Sequence, residues 1–218
     1  MPVDKLHRKV ASVALRAAAR HGFALGGGNA LIAYGVVNRP TEDVDLFTDR
    51  ENGVRAAAAG VEAALEAAGY RAERQDKTSG LPDVFYGMGD GLAEWVITAP
   101  GGDRVGLQMA YFRRSRKPSR MSVGPVVDLE DALGGKVSAL ATRISETDYF
   151  DVAAALGRYA PDQLMHFALR VDPGLTRHDF ADAGRRLDRF SDRRLIGAGL
   201  SPEAVVLIRE RFASWPRR

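Results

Sequence analysis

The spacing of apolar residues changes near residue 125, and this change predicts how the chain is organised. Before it, amphipathic and alanine-rich stretches predict helices over 4–21 and 52–69, with a short helix over 30–34 that begins near Asn29. Short apolar or alternating runs separated by Gly, Pro and Asp predict strands over 23–25, 43–47, 70–73, 84–88, 92–98 and 105–111. After it the spacing is helical, with helices predicted over 129–143, 147–158, 161–170, 176–190 and 201–213.

We therefore expect an α/β (α+β) core with a mixed sheet over 1–125, followed by a helical lobe over 126–218. No internal repeat and no low-complexity linker separates the two parts. Domain boundaries usually lie in such linkers, so we expect the two parts to pack together, with the active-site cleft between them.

Composition excludes several classes of site. The chain has no cysteine, which excludes disulfides, zinc–thiolate sites and thiol nucleophiles. It also lacks the P-loop pattern Gly-x-x-x-x-Gly-Lys-Ser/Thr and the serine hydrolase pattern Gly-x-Ser-x-Gly. No run approaches the roughly 18 apolar residues of a membrane span. The first residues are charged rather than apolar, so we expect a cytoplasmic protein with no membrane partner.

Two carboxylates share one face of a predicted strand. Asp43 and Asp45 are separated by a single residue, so both point away from the core that Val44 and Leu46 enter. Two carboxylates within about 7 Å form an anionic oxygen site that suits Mg²⁺ or Mn²⁺ better than zinc. Because acidic pairs are also common on solvated strand edges, the pair alone does not define a metal site.

A glycine turn shortly before this strand changes the interpretation of the pair. Gly26, Gly27 and Gly28 follow a short strand and precede a helix, and such a turn lets the backbone approach a phosphate closely. A phosphate-binding turn and a carboxylate pair are the two parts that phosphoryl or nucleotidyl transfer requires. Arg39, just upstream of the acids, is expected to hold either a phosphate or the carboxylates themselves.

Basic residues are concentrated in one place, although Lys and Arg exceed Asp and Glu by only 31 to 28. Residues 113–120, next to the expected cleft, contain four arginines, one lysine and no acid. Such a loop can bind the phosphates of a nucleic acid. A solvated loop, or a surface that binds an acidic partner protein, would have the same composition. A second basic stretch over 185–194 is interrupted by Asp188 and Asp192, which indicates a salt-bridged helix face.

Three segments resemble, in order and approximate spacing, the nucleotidyltransferase toxins of the AbiEii/AbiGii type, which include the MenT toxins and belong to the polymerase-β-like superfamily. The first segment, over 25–46, reads Gly-Gly-Gly-Asn and then Arg-Pro-Thr-Glu-Asp-Val-Asp. The second is a helix over 128–140 that carries Lys136, and the third is the Asp-Tyr-Phe-Asp element over 148–151. Together the segments lie within residues 23–155, and the helical tail beyond them is not diagnostic.

The resemblance implies roles for individual residues. It places metal binding by Mg²⁺ or Mn²⁺ at Asp43 and Asp45, and catalysis at these two acids together with Lys136, Asp148 and Asp151. It places binding of the NTP substrate at Gly27, Gly28, Asn29, Arg39, Thr41 and Lys136.

Other roles remain open for the residues of the helical part. Lys136 lies on an amphipathic helix, where a lone lysine is ordinarily solvated. Arg143 is one helical face further on and can pair with Asp148 or Asp151. Asp148 is also placed to cap the helix that follows it.

The sequence departs from the superfamily pattern at one position. Many polymerase-β-like enzymes carry a third carboxylate on a later strand, but the predicted strand over 105–111 has Gln108 there. Glu94 lies on another predicted strand, and the sequence does not give the direction of its side chain. This departure puts a full three-carboxylate, two-metal mechanism in doubt.

By resemblance, the function is that of a toxin in a toxin–antitoxin pair. It would transfer a nucleoside monophosphate, from a pyrimidine NTP, to RNA at the 3′ acceptor end of tRNA, block translation and be neutralised by a cognate antitoxin. The alternatives are nucleotidylation of a small molecule such as an aminoglycoside, nucleotidylation of a protein hydroxyl, or a catalytically inactive binding protein. The basic stretch over 113–120 favours RNA over a cationic drug, since like charges repel.

Overall fold

A computed structural model of the chain describes residues 4–75, 91–143 and 145–218. The strand predicted over 84–88 lies outside these residues. The chain forms two compact units, of which the first comprises Met1–Ala33 and Asn38–Asp128 and the second comprises Tyr34–Val37 and Leu129–Arg218. The division predicted at residue 125, with an active-site cleft between the two parts, stays a prediction.

The first unit combines helices with short strands. A single-turn 3-10 helix, Ala19–His21, follows its first α-helix. In chain order, its described elements are α1 (Lys5–Ala17), β1 (Ala24–Leu25), α2 (Gly27–Ala33), β2 (Asp43–Thr48), α3 (Gly53–Ala67), β3 (Arg71–Arg74), β4 (Leu92–Thr98), β5 (Arg104–Tyr111), β6 (Ser119–Met121) and β7 (Gly124–Val126).

The described strands form one mixed sheet in the order β3-β4-β5-β2-β1-β7-β6. β2 runs parallel to β5 and β1 runs parallel to β7, whereas the other neighbouring pairs are antiparallel. Because β1 is antiparallel to β2, β1 ends at the edge of the sheet where β2 begins. The turn that follows β1 therefore lies beside the start of β2.

Alternation along the strands separates a core face from a more open face. α1 and α3 pack against the core face, which buries Val44, Leu46, Trp95, Leu107 and Met109. The residues between these point to the other face, where Asp43 is exposed and Asp45, Glu94 and Gln108 are half-buried.

Among the described residues of the second unit, all regular elements are helical, and a 3-10 turn, Phe212–Ser214, follows the last α-helix. Its described helices are α4 (Leu129–Thr142), α5 (Glu146–Leu156), α6 (Pro161–Val171), α7 (Arg177–Arg189), α8 (Asp192–Gly197) and α9 (Pro202–Arg211). α4 and α6 approach closely at Gly134, where a Cβ atom would lie 2.4 Å from the carbonyl oxygen of Phe167. The ring of Tyr149 contacts those of Phe190 and Phe212, and its hydroxyl donates to the carbonyl oxygen of Ala183 at 2.8 Å. These contacts fix α5 in the core of the unit.

The elements predicted from the sequence agree with the described ones to within a few residues. The prediction missed β6, β7 and α8, which have three, three and six residues and are too short to show a period. Two details were wrong. α2 begins at Gly27, so Asn29 lies inside the helix, fully buried, rather than at its N-cap. α5 begins at Glu146, so Asp148 lies inside that helix and does not cap it. No helix among the described residues is long and apolar enough to cross a membrane.

Candidate active site

The two predicted carboxylates share the open face of β2. Asp43 and Asp45 alternate with the buried residues Val44 and Leu46, as the pleat of a strand requires. The carboxylate of Asp43 lies over Gly106 on β5, where a Cβ atom would be only 1.9 Å from its Oδ1. A larger residue at position 106 would displace this carboxylate.

The glycine turn packs directly against the second carboxylate. The backbone N–H of Gly26 donates to the carbonyl oxygen of Asp45 at 2.8 Å. Gly27 has a φ of 55°, and a Cβ atom there would lie 1.7 Å from Oδ2 of Asp45. Both the conformation and the close approach require glycine. The start of α2 and the Asp45 carboxylate thus adjoin each other.

A chain of hydrogen bonds fixes the start of β2. The side-chain amide of Asn29 donates to the carbonyl oxygen of Asp43 at 2.7 Å, and its Oδ1 accepts from the Thr41 hydroxyl at 3.1 Å. The Thr41 oxygen in turn lies 3.0 Å from Nδ1 of the buried His7 on α1. If Thr41 donates to Asn29, the remaining proton must come from His7 Nδ1–H.

Arg39 and Thr41 both lie against the glycine turn. A Cβ atom at Gly28 would be 2.8 Å from Cγ2 of Thr41 and 3.2 Å from Nη2 of Arg39. The Arg39 guanidinium also donates to the carbonyl oxygen of Pro40 at 2.9 Å. The structure therefore brings together the predicted positions Gly27, Gly28, Asn29, Arg39, Thr41, Asp43 and Asp45.

An amide occupies the position expected for a third carboxylate. Gln108 is in register with Asp45 on one side and with Glu94 on the other, so all three point to the open face. Its Nε2 donates to Oε1 of Glu94 at 2.8 Å. Since neighbouring strands are about 4.8 Å apart, Glu94 lies two strands and roughly 10 Å from Asp45.

The donor set fits a magnesium-type ion that shares its ligands with a substrate. No group of three or more His, Asp or Glu side chains among the described residues could hold a metal ion. Mg²⁺, however, commonly binds through one or two carboxylates while phosphates and water complete its octahedron. The adjacent Asp43 and Asp45, beside a glycine turn, match that arrangement.

The predicted residues of the second unit form a buried ion-pair cluster. Nζ of Lys136 lies 2.9 Å from Oδ1 of Asp148 and 2.9 Å from Oδ2 of Asp151. The Lys136 side chain is 12% exposed, and those of the two acids 1% and 0%. The side chain of Arg143 is 63% exposed, and its Nε lies 3.1 Å from Oδ2 of Asp148. Of the two aspartates that the sequence offered as partners, Arg143 therefore pairs with Asp148.

Electrostatics keep Lys136 charged. Burial lowers the pKa of its ammonium group, but attraction and hydrogen bonds from Asp151 and Asp148 outweigh burial and raise the pKa above 10.5. Because the pKa of Lys136 is higher in the folded protein than in the unfolded chain, its ion pairs contribute their full stabilisation below pH 10.5. This contribution is lost only as the pH rises through the pKa of Lys136 in the folded protein. Lys136 is therefore charged at neutral pH.

The basic stretch over 113–120 lies at another edge of the sheet. β5 runs parallel to β2 and Thr48 is in register with Tyr111, so the stretch leaves the sheet where β2 ends. The distance along β2 from Asp43 to this edge is roughly 17 Å. Arg114 turns inwards and pairs with Asp49. The second stretch, over 185–194, carries the expected ion pairs: Arg185–Asp182, Arg217–Asp188 and Arg209–Asp192.

Sequence reasoning missed two residues that shape the site and one residue at the opposite edge of the sheet. His7 is far from the motif in sequence, and a lone histidine on an amphipathic helix gives no signal of a role. Gly106 is recognisable only once β5 is placed beside β2. Arg50, beside Gly22 at the far edge, is a single arginine in a turn.

Comparisons with known proteins agree with this architecture. A sequence profile described as "Nucleotidyl transferase AbiEii toxin, Type IV TA system" matches residues 10–196. MenT4, a nucleotidyltransferase toxin from Mycobacterium tuberculosis, has a similar structure with a TM-score of 0.61 at 14% identity, over 95% of this chain and 82% of that one. JHP933 from Helicobacter pylori is similar with a TM-score of 0.59 at 14% identity, over 96% of this chain and 91% of that one.

A structure described as a putative nucleotidyltransferase from H. pylori also matches, with a TM-score of 0.59 at 16% identity, over 95% of this chain and 92% of that one. At these identities the structural likeness establishes the fold alone. A search of curated protein sequences gave no significant match.

Proposed function

Because the chain belongs to the AbiEii nucleotidyl transferase toxin family of type IV toxin–antitoxin systems, we propose that it transfers a nucleoside monophosphate from a pyrimidine NTP to the 3′ acceptor end of tRNA. Membership of the family makes the chain a nucleotidyltransferase enzyme with an antitoxin as partner. The nucleotide and the RNA acceptor are the specific parts of the proposal. Modified tRNA could not be aminoacylated, so translation in the cytoplasm would stop.

One observation carries the proposal: the Asp45 carboxylate lies against the backbone of the Gly26–Gly28 turn. Anionic phosphates and anionic carboxylates repel each other, so a site that places them side by side needs a cation between them. Nucleotidyltransferases generally use an NTP and a divalent metal ion. Asp43 and Asp45 would hold Mg²⁺, which neutralises charge on the phosphates when it is bound.

The reaction is a displacement at the α-phosphorus of the NTP. The acceptor hydroxyl oxygen forms a bond to this phosphorus, and the bond from it to the oxygen that bridges to the β-phosphorus breaks. Pyrophosphate leaves with that electron pair, and the hydroxyl proton passes to solvent. The chain contributes mainly by holding the reacting groups in line.

The residues around the carboxylates have different roles in positioning the reacting groups. Gly27, Gly28 and Asn29 at the start of α2 would place the triphosphate, and Arg39 beside Gly28 would offset its charge. Asn29 and Thr41 hold the backbone of Asp43, which sets the direction of its carboxylate.

The cluster of the second unit also belongs to the proposal. Lys136 would bind nucleotide phosphate through the 12% of its side chain that is exposed, while Asp148 and Asp151 hold its ammonium in position. In this proposal Asp148 and Asp151 are positioning residues that act through Lys136.

Transfer is tested with each of the four NTPs labelled at the α-phosphate, Mg²⁺ and total RNA, followed by gel separation. We expect label in the tRNA band, with one pyrimidine NTP preferred, and none with Asp45→Asn. If a protein or a small molecule is labelled instead of RNA, the RNA acceptor of the proposal is wrong. No transfer from any NTP, in the absence of the antitoxin, would overturn the proposal.

A further inference from the structure

A groove of about 700 Å³ opens at the edge of the sheet opposite to the glycine turn. It lies where β2 and β5 end and where β1 and β7 begin. Cations dominate its described lining, which contains five of them against one acid: Arg50, Arg114, Arg116, Lys117, Arg120 and Asp49. The groove is therefore strongly attractive to anions.

Arg114 lies within the wall of this groove with part of its guanidinium unsatisfied. The side chain is 5% exposed, and its Nη2 pairs with Asp49. Among the described residues, Nε and Nη1 of Arg114 are buried and have no hydrogen-bond partner. A buried donor without a partner is destabilising, and more so when it is charged. An oxyanion that enters the groove and reaches the guanidinium would satisfy these donors.

The remaining cations lie around the rim. Arg116, Lys117 and Arg120 are exposed. Nε of Arg116 lies 3.8 Å from the Asp128 carboxylate, an ion pair at the protein surface. Arg50 lies in the turn after β2, with its Nε 2.9 Å from the position of a Cβ atom at Gly22. The charges thus come from two segments, the stretch over 113–120 and the turn after β2, and both contribute to the lining of the groove.

We propose that this groove binds backbone phosphates of the RNA acceptor, an inference that rests on the proposed function for the acceptor class. Five cations exceed what one phosphate needs and suit successive phosphates of a polynucleotide. Phe23, the aromatic residue of the described lining, is buried and offers no surface for base stacking. Binding is therefore expected to be independent of sequence.

The position of the groove agrees with an extended ligand. Asp49 follows Asp45 by four residues, so the groove lies roughly 13 Å along β2 from the carboxylates. That distance spans only a few nucleotides of a polynucleotide strand. A triphosphate at the glycine turn does not reach the groove, whereas an RNA whose end is at the carboxylates can.

The test compares three variants by RNA affinity at several salt concentrations. The rim variant combines Arg116→Ala, Lys117→Ala and Arg120→Ala, all at exposed positions. The wall variant is Arg114→Gln, with Arg114→Lys as a second form should the glutamine variant fail to fold. The matched control removes three exposed arginines elsewhere in the first unit: Arg16→Ala, Arg55→Ala and Arg71→Ala.

Three lost phosphate contacts should lower the slope of log affinity against log salt by about 2 to 3 and weaken tRNA binding on the order of 30–100-fold near physiological salt. Arg114→Gln should weaken it on the order of tenfold, and Arg114→Lys less, because an ammonium cannot reproduce the guanidinium fork. The control should bind tRNA like the wild type. NTP affinity should be unchanged in every variant.

Distinct outcomes separate the groove from the proposed function. If the rim variant keeps wild-type RNA affinity and salt slope while transfer to tRNA persists, the groove proposal is overturned and the function stands. If RNA binding depends on the groove but no NTP is transferred, the function fails and the groove stands. If the groove variants bind RNA like the wild type but are no longer inhibited by the antitoxin, the polynucleotide proposal is overturned. The same holds if inorganic phosphate binds in the groove and RNA binding is unaffected by it.

Discussion

The chain carries two pairs of aspartates, and their surroundings differ in kind. Asp43 and Asp45 lie on the open face of β2 against glycine backbone, one exposed and one half-buried. Asp148 and Asp151 are buried in α5 and share one ammonium group at 2.9 Å each. Removing charge at an open site costs little stability, whereas removing one partner of a buried pair leaves an uncompensated charge. The first pair is therefore open to a ligand, as the proposed function requires, whereas the second pair holds Lys136.

The largest expected effect is loss of activity at the open pair. Asp43→Asn or Asp45→Asn should lower the rate of pyrophosphate release on the order of 1,000-fold, because each removes an oxygen ligand that carries charge. The unfolding free energy should change by no more than about 0.5 kcal/mol. Glu42→Gln, which removes the same charge from the exposed neighbour, is the matched control and should keep full activity.

Stability should be lost instead at the buried cluster. Lys136→Met leaves Asp148 and Asp151 without their ammonium partner and should lower the unfolding free energy by about 3–5 kcal/mol, measured by denaturant titration at pH 7. Arg143→Ala at the exposed end of the cluster should cost less than about 1 kcal/mol. Equal losses of unfolding free energy for Lys136→Met and Arg143→Ala would contradict the view that the buried aspartate pair is held by Lys136.

Lys136→Arg separates the two roles of this lysine. A guanidinium keeps the charge but not the shape. Recovered stability with a persistently high KM for NTP would support phosphate binding, and recovery of both would reduce Lys136 to a structural role.

Glycine substitutions sharpen the comparison within the first unit. Gly27→Ala should cost about 1–2 kcal/mol through its positive φ alone, and its methyl group would displace the Asp45 carboxylate and reduce activity further. Gly60→Ala, in the middle of α3 where a Cβ atom would meet no neighbour, should instead stabilise the protein by about 0.5–1 kcal/mol. Melting temperatures and pyrophosphate release of the two variants provide the check.

The smallest effect is expected at His7. His7→Ala removes one hydrogen bond from the chain that reaches Asp43 through Thr41 and Asn29, which is worth about 0.5–1.5 kcal/mol, or roughly a threefold to tenfold loss of kcat. His7→Asn, which keeps a donor, should recover part of the loss. An unchanged kcat in His7→Ala would remove this histidine from the site.

Local patterns were sufficient for most of the fold and for the motif residues. The alternation of Asp43, Val44, Asp45 and Leu46 predicted the strand and the direction of both carboxylates, which the structure confirms. The sequence left the direction of Glu94 open because strand pairing decides it, and only the register with Gln108 places both on one face. The roles of His7 and Gly106 could not be predicted for the same reason, because they depend on contacts between segments that are distant in sequence.

Burial was the other property that the sequence could not provide. Lys136 sits among Leu133, Val137 and Leu140, a pattern that fits a lysine at the edge of an apolar stripe as well as a buried one. Its burial follows from α5, which brings Asp148 and Asp151 to it from more than ten residues away. Similarly, the basic stretch was visible as composition, but the inward turn of Arg114 towards Asp49 was not.

Direct measurement of metal–nucleotide binding tests the central claim, that Asp43 and Asp45 form the catalytic site. Mn²⁺ binding in the presence of a non-hydrolysable NTP can be followed by electron paramagnetic resonance for the wild type, Asp43→Asn, Asp45→Asn and Glu42→Gln. We expect tight binding by the wild type and Glu42→Gln, and a loss of at least tenfold in Asp43→Asn and in Asp45→Asn, both of which should remain folded. Wild-type affinity in Asp43→Asn and Asp45→Asn would contradict it.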